Sequence, residues 1–403
     1  MENNRIQFLD GFRFLLALWV LLAHYYTFIG GSRYFVLPKF LDDSLNKPVI
    51  AVYGFMIITG FLMTYNYFIR EKKEPFEDRL TFKNFWLRRL FRLYPVYILA
   101  IIVAFITFVP CANLNRQNLI FFTGSDVSQW GTVRSVVQPT VADLISHAFM
   151  VHGLIPKFSD SLLGVAWSLS LEMQFYFLFP FLFLAVFSSP SVLKKWLFIT
   201  LVCSGVVAVL SPPVFDAITS RNGLVKFVLP SILPYVMPFF LLGMIAAGVK
   251  LRKIHPIFLA VAFFVVLPFQ WRVTNIVIAS FFLLLFLDEL EAFIPSYFYR
   301  IINSVRSALS GRLATFGADI SYSMYLIHTL IIGGSIQFVI RIMPSLQGSK
   351  AAIAVAGLVI TLVISIVLGY LIFRFIEKPF IAIGKRFITG QRQPQPQALD
   401  SVE

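Results

Sequence analysis

The sequence predicts an all-α fold, a polytopic membrane bundle of about ten transmembrane helices, and three observations support this prediction. Of the 403 residues, 58% are hydrophobic and only 13% are charged, whereas soluble proteins carry about 25% charged residues. Apolar runs long enough to cross a bilayer as helices recur along the whole chain. Lys and Arg are concentrated in the connections between these runs. One membrane domain is therefore expected over residues 1–390, followed by a short disordered tail, residues 391–403.

Ten apolar segments are interpreted as spans because each is long and carries few charges. They cover residues 8–28, 48–69, 86–109, 162–187, 195–211, 225–249, 254–270, 273–290, 318–341 and 351–376. The first is not expected to be a cleaved signal peptide, because Asp10 and Arg13 lie inside it. Pro379 is expected to stop the last span.

The distribution of basic residues predicts that both termini are cytoplasmic. With the N-terminus inside, about two thirds of the 34 Lys and Arg lie on the cytoplasmic side, as the positive-inside rule requires. The net charge is +14, but the basic residues form no separate basic domain. No nucleic-acid partner is therefore expected.

One long external connection, residues 110–161, joins the third and fourth spans. Its aromatic content, including Trp130, favours a functional loop over a disordered one. Residues 141–152 are compatible with a short interfacial helix. His147 and His152 are five positions apart, which is not the spacing of a helical zinc pair, so no metal is assigned to them.

An arginine and a histidine lie on one face of the first span. Eleven residues of α-helix turn through about 1100°, so Arg13 and His24 share a face, about 16 Å apart along the axis. Ionisable groups inside a span are costly to insert and mark functional sites by default. His24 is a candidate general base, because histidine titrates near neutral pH. The alternative is a buried histidine satisfied by a backbone carbonyl.

A carboxylate lies near the middle of the fourth span. Glu172 has three interpretations: it orients His24, it is itself the base, or it forms a structural ion pair with an arginine. Tyr176 follows one turn later and is positioned to hydrogen-bond at the same site. Trp167 is expected near the outer interface, where it either anchors the helix or stacks on a sugar.

Arg89 and Arg92 share a face at the cytoplasmic entrance of the third span, at the membrane level of Arg13. Arginine binds phosphate in a bidentate manner, so these residues suit a phosphorylated ligand. The alternative is snorkelling of positive residues at a helix end.

A polar stripe runs along the ninth span. Ser321, Tyr325 and His328 recur at i, i+4 and i+7 and therefore lie on one side of the helix. This stripe either lines a substrate path or makes packing hydrogen bonds between helices.

Taken in chain order, these segments resemble the acyltransferase-3 family of multi-pass membrane proteins. The resemblance runs from Phe8 to about Phe380 and rests on the Arg13-x10-His24 pattern together with residues 55–62, 88–97, 167–176, 321–328 and 375–380. The chain departs from the family at Thr59, where Ser is usual, and at Met173, which replaces a frequent second Glu.

The resemblance implies a membrane O-acyltransferase of a bacterial inner membrane. Its members commonly transfer an acetyl group from cytoplasmic acetyl-CoA, a donor substrate rather than a bound cofactor, to a hydroxyl of an extracytoplasmic or lipid-linked sugar of a surface polysaccharide. It implies catalytic roles for His24 and Glu172, and acyl-CoA or substrate binding by Arg13, Arg89, Arg92, Trp167, Tyr176, Ser321, Tyr325 and His328. Whether His24 acts alone, with Glu172 or as an acyl carrier stays open.

Two other functions remain compatible with the residues. A transporter or flippase would use the same ionisable side chains as a relay, although the sequence shows no internal repeat of the kind that marks many transporters. A non-catalytic membrane scaffold would not need His24 or Arg13 at all.

Overall fold

The computed structural model describes residues 6–75, 78–124, 138–187, 195, 199–200, 202–205, 231–266 and 272–390. Throughout these ranges the regular structure is helical, which confirms the all-α prediction. The α-helices are α1 (Phe8–Phe28), α2 (Lys39–Leu45), α3 (Val49–Arg70), α4 (Arg79–Thr123), α5 (Val141–Ala148), α6 (Trp167–Phe187), α7 (Met237–Lys250), α8 (Ile257–Val266), α9 (Arg272–Leu285), α10 (Ser296–Leu309), α11 (Arg312–Ile342), α12 (Lys350–Ile372) and α13 (Lys378–Gly390).

Within the described ranges, six helical segments are long and apolar enough to cross a membrane. They are Phe8–Phe28, Val49–Arg70, Arg79–Thr123, Gly164–Phe187, Arg312–Ile342 and Lys350–Ile388. α7 and the segment Val273–Leu285 are apolar but shorter. The predicted spans 195–211, 225–249 and 254–270 lie partly outside the described residues, so the count of ten stays a prediction.

The third span is longer than the sequence predicts. α4 continues through Pro110 to Thr123, and Gly124 ends it in the left-handed conformation, with φ of 69°. Packing explains why the proline does not end the helix, because Asn118 beyond it is fully buried and donates to the Gly333 carbonyl of α11 at 3.2 Å. The prediction that residue 110 begins a loop is therefore wrong. Trp130 lies outside the described residues.

The C-terminal helix also continues beyond its predicted end. A π-helical turn, Phe373–Glu377, joins α12 to α13. Pro379 occupies the second position of α13, within the first turn, where a missing N–H is tolerated. The prediction that Pro379 stops the last span is therefore wrong. The π-turn places Glu377 in the interior, where it is 3% exposed.

Close backbone packing fixes the helices around the interior. α11 packs against α1, α4 and α12, and α3 packs against α7. A Cβ atom on Gly60 would lie 2.1 Å from the Phe240 carbonyl oxygen, and one on Gly243 would lie 2.0 Å from that of Ile57. Only glycine permits this approach of α3 and α7, the small-residue packing that is typical of membrane helices.

The predicted interfacial helix forms over a shorter range than residues 141–152. α5 begins with a capping box between Thr140 and Asp143. The segment is tied to the bundle, because the Tyr97 hydroxyl donates to the His147 carbonyl at 2.9 Å. The rings of His147 and His152 stack with centroids 3.9 Å apart, and both side chains are fully buried.

Candidate functional site

A cavity opens between α1, α3, α4, α6, α7 and α11. The space between these helices measures about 1000 Å³, including the part that is open to solvent. Much of its wall is apolar. The polar and charged residues that line it are Arg13, Thr59, Asn66, Arg89, Arg92, Ser168, Glu172, Tyr176, Ser321, Tyr322 and Tyr325.

Three arginines from two helices line this cavity. Arg13 lies on α1, and Arg89 and Arg92 lie on α4. Across the described parts of the chain, none of the three forms a hydrogen bond or ion pair with another residue. The Arg89 Nε atom is buried without a partner, and its Cζ lies 5.7 Å from the Phe85 ring centroid and 5.6 Å from that of Tyr176. The cavity therefore presents three cationic groups with unused donors.

The arginine next in sequence behaves differently. Arg88 donates to both carboxylate oxygens of Glu74, at 3.0 and 2.7 Å. Its charge is satisfied outside the cavity. The absence of a partner at Arg89 is therefore not a general property of this stretch of α4.

Glu172 lies in the same cavity but contacts no arginine. Its Oε1 accepts hydrogen bonds from the Thr59 hydroxyl at 3.2 Å and from the Tyr176 hydroxyl. No ion pair of Glu172 occurs among the described residues. The hydrogen-bond partners of Glu172 are Thr59 and Tyr176, and neither is His24. No direct contact therefore supports the interpretation in which Glu172 orients His24.

His24 is not part of the cavity wall but pairs with His328. The Nε2 atom of His328 lies 3.1 Å from Nδ1 of His24, and the ring centroids are 5.1 Å apart. Tyr325 separates the pair from the cavity. Its ring centroid lies 6.0 Å from that of His328, and its hydroxyl contacts Ser168 Oγ at 2.8 Å and donates to the Val165 carbonyl at 3.1 Å. The expected single site is therefore two adjoining sites.

The polar stripe of α11 divides between these two sites. Ser321 and Tyr325 line the cavity, whereas His328 contacts His24. Trp167 belongs to neither site: it begins α6 and is 5% exposed, packed into the hydrophobic core. A buried indole has no free face for a sugar, so the stacking interpretation of Trp167 is wrong in this structure.

Four cavity-side residues were not among the sequence candidates. Tyr322 donates to the Leu93 carbonyl at 2.7 Å, and Asn66 donates to that of Leu62 at 2.7 Å. Thr59 is the hydrogen-bond partner of Glu172. Polar side chains inside apolar runs were the available signal for them. None of the three is ionisable near neutral pH, so none stood out by charge as Arg13, His24 and Glu172 did.

Glu377 is the fourth; it does not line the cavity itself but is within electrostatic reach of Arg13 and Arg92. Its Oε2 accepts a hydrogen bond from the Ser323 hydroxyl at 3.1 Å. The Glu377 carboxylate interacts electrostatically with the guanidinium groups of Arg13 and Arg92. The sequence places this carboxylate directly after the last predicted span, 351–376, where a helix end was expected and a buried position was not.

The arrangement suits a ligand with an anionic end and an apolar extension. Unpaired guanidinium groups bind phosphate oxygens, and the side chains of Val52, Phe55 and Leu62 supply apolar wall. The part of the chain that the structure describes contains no group of three or more His, Cys, Asp or Glu that could hold a metal ion.

Comparison with known proteins identifies the family of this chain. The acyltransferase-3 family model, described as an acyltransferase domain, matches residues 6–370. Nose resistant to fluoxetine protein 6 of Caenorhabditis elegans is 24% identical over 200 residues, covering 45% of this chain and 22% of the relative. The match thus spans about a fifth of that relative's length, and no solved structure matches the chain. Because the family model covers nearly the whole chain, including the cavity, the His24–His328 pair and all but the end of α12, this multi-pass membrane protein belongs to the acyltransferase-3 family.

Proposed function

We propose that this protein is an inner-membrane O-acyltransferase that uses cytoplasmic acyl-CoA, with acetyl as the acyl group. The proposed acceptor is a hydroxyl of an extracytoplasmic or lipid-linked sugar of a surface polysaccharide. The observation that carries the proposal is the convergence of three unpaired arginines on one cavity, with Tyr325 between that cavity and a histidine pair.

The charge and the apolar lining of the cavity support this donor. Coenzyme A carries a pyrophosphate and a 3′-phosphate, which match the unused donors of Arg13, Arg89 and Arg92. Its pantetheine arm is long and mostly uncharged, so it suits the apolar wall that leads from the arginines towards Tyr325. The positive-inside distribution of Lys and Arg supports a cytoplasmic location for the arginine end, where acyl-CoA is made.

The proposed reaction is a direct transfer with His24 as general base. The acceptor hydroxyl gives its proton to His24, and its oxygen forms a bond to the thioester carbonyl carbon. The carbon–sulfur bond then breaks, and the leaving thiolate takes the proton from His24. The products are an O-acyl sugar and free coenzyme A, and His24 returns to its neutral form.

The first test is thioester cleavage by purified protein. Release of coenzyme A thiol from acetyl-CoA is measured in detergent for the wild type and for His24→Ala. Loss of a general base is expected to lower the rate about 10²- to 10⁴-fold. His255→Ala is the matched control, because His255 is exposed and lies outside both sites.

The second test identifies the acceptor. Mass spectrometry of surface polysaccharide from cells with wild-type protein should show an added acyl mass that cells with His24→Ala lack. Equal acylation by the two proteins would overturn the assignment of His24. Movement of a substrate across proteoliposomes with no requirement for coenzyme A would instead support a transporter.

A further inference from the structure

The contact between His24 and His328 joins residues that are distant in sequence. His24 lies on α1 and His328 on α11, and these two helices pack against each other. His328 is fully buried, whereas His24 is partly exposed. The buried ring therefore lies behind the more accessible one.

Hydrogen bonding fixes the tautomer of the buried ring. The Nδ1 atom of His328 lies 2.8 Å from the Tyr325 carbonyl oxygen. A carbonyl oxygen only accepts, so Nδ1 of His328 carries the proton and donates it. In a neutral imidazole the other nitrogen is then an acceptor. Nε2 of His328 therefore presents a lone pair to His24.

The tautomer of His24 follows from that of His328. Its Nδ1 faces two acceptors, Nε2 of His328 at 3.1 Å and the Val20 carbonyl oxygen at 2.9 Å. Nδ1 of His24 must carry the proton to satisfy either contact. Nε2 of His24 is then unprotonated, and the residue as a whole is partly exposed.

We propose that His328 is a positioning residue: together with the Val20 carbonyl it holds the His24 ring in the Nδ1–H tautomer and in the orientation that presents the Nε2 lone pair as the proton acceptor in acyl transfer. This inference rests on the proposed function, because it assigns the reacting atom of His24. The acceptor hydroxyl proton goes to Nε2, and the Nδ1–H bond to His328 is kept. The same proton leaves Nε2 for the departing thiolate, so neither ring has a net change.

Among the described residues, no carboxylate orients the ring of His24. Among the described residues, the partners that act on His24 are the Val20 carbonyl and His328, and neither is a carboxylate. His24 is in turn the titratable group that acts on His328 from a neighbouring helix. Glu172 is engaged by Thr59 and Tyr176. A neutral histidine thus occupies the position that an orienting carboxylate has in other histidine bases.

Substitutions at position 328 separate hydrogen bonding from packing. His328→Gln keeps an amide oxygen near the place of Nε2, His328→Asn carries a shorter amide that does not reach His24, and His328→Phe keeps a ring without an acceptor. We expect kcat to fall at least about tenfold in the Phe and Asn variants and to recover in the Gln variant. KM for acetyl-CoA should stay unchanged in all three, because His328 does not line the cavity.

Ser335→Ala is the control for removing a buried polar group from α11, because Ser335 is 3% exposed and lies outside both sites. Full kcat in His328→Phe, or equal loss in the Gln and Asn variants, would overturn the inference. If the Phe variant does not fold, as judged by thermal melting, the comparison of Gln with Asn decides. If His24→Ala keeps full activity, His24 is not the base. If His24→Ala is inactive while all three variants at position 328 are fully active, only the positioning role of His328 is refuted.

Discussion

Adjacent arginines at the start of α4 have different environments, although nothing in the local sequence distinguishes them. Arg88 forms a two-pronged ion pair with Glu74, whereas Arg89 faces the cavity with a buried Nε that has no partner. Helical geometry explains the difference, because successive residues point about 100° apart around the axis. Substitutions of Arg88 and Arg89 therefore compare an arginine that forms an ion pair with one that faces the cavity.

Conservative substitution should affect these neighbours differently. In Arg89→Lys and Arg92→Lys the charge remains but the bidentate fork is lost. We expect KM for acetyl-CoA to rise about tenfold in each, with a smaller change in kcat, in steady-state thiol-release assays. Arg88→Lys is the control and should keep the wild-type KM. A similar rise in KM for all three would mean that net charge near α4, and not the cavity geometry, governs donor binding.

The sequence identified single residues well when each was anomalous by itself. Arg13, His24 and Glu172 are ionisable groups inside apolar helices, a local signal that needs no knowledge of the fold. The contact between His24 and His328 was out of reach, because it joins positions 304 residues apart. Helical periodicity shows which side of a helix a residue occupies, but not which other helix that side meets.

Among the secondary-structure elements, apolar length predicted the six long helices that are apolar enough to cross a membrane, but prolines gave wrong positions for the ends of two of them. Pro110 and Pro379 were both expected to mark boundaries, yet both lie inside continuous helical segments. Tertiary contacts compensate in each case, through Asn118 of α4 and through the packing of α13 on α4. Helix propensity does not predict such contacts, because it describes a helix without its neighbours.

The segment around α5 should be sensitive to acid. Burial lowers the pKa of His147 to about 4 and that of His152 to about 3, from an ordinary value of 6.5. As the pH falls from 6.5 towards 3, the unfolded chain takes up protons that the folded protein does not. The free energy of unfolding should therefore decrease over this interval, and should be independent of these two residues above it.

Thermal melting of detergent-purified protein between pH 7 and pH 4 (roughly the range in which both rings stay neutral when folded) tests this prediction. The double variant His147→Gln/His152→Gln has no titrating ring in this segment, and its melting temperature should fall less with acid than that of the wild type. Parallel pH dependences would show that the stacked pair contributes nothing to acid sensitivity.

For the molecule as a whole, the sidedness of the arginine cavity decides which compartment supplies its ligand. The basic connection between α3 and α4 should be cytoplasmic and the segment after α5 should be external. We expect a membrane-impermeant maleimide to label Leu154→Cys and not Lys72→Cys in intact cells. Both positions are exposed. The background should carry Cys111→Ser and Cys203→Ser, because both native cysteines are free thiols. The opposite labelling pattern would contradict donation from a cytoplasmic thioester.

The three arginines without partners have a consequence for the stability of the resting protein. Desolvated positive groups held near one another without a direct ion pair store unfavourable electrostatic energy, which the nearby carboxylates of Glu172 and Glu377 offset only in part. An anion that binds them removes this penalty, so the occupied protein should be the more stable form by linkage. On the proposed function, donor binding at this cavity is therefore gained at the cost of stability in the empty protein, as in other strained active sites. Anionic additives that resemble the donor's phosphates are accordingly the rational choice for keeping this protein folded outside its membrane.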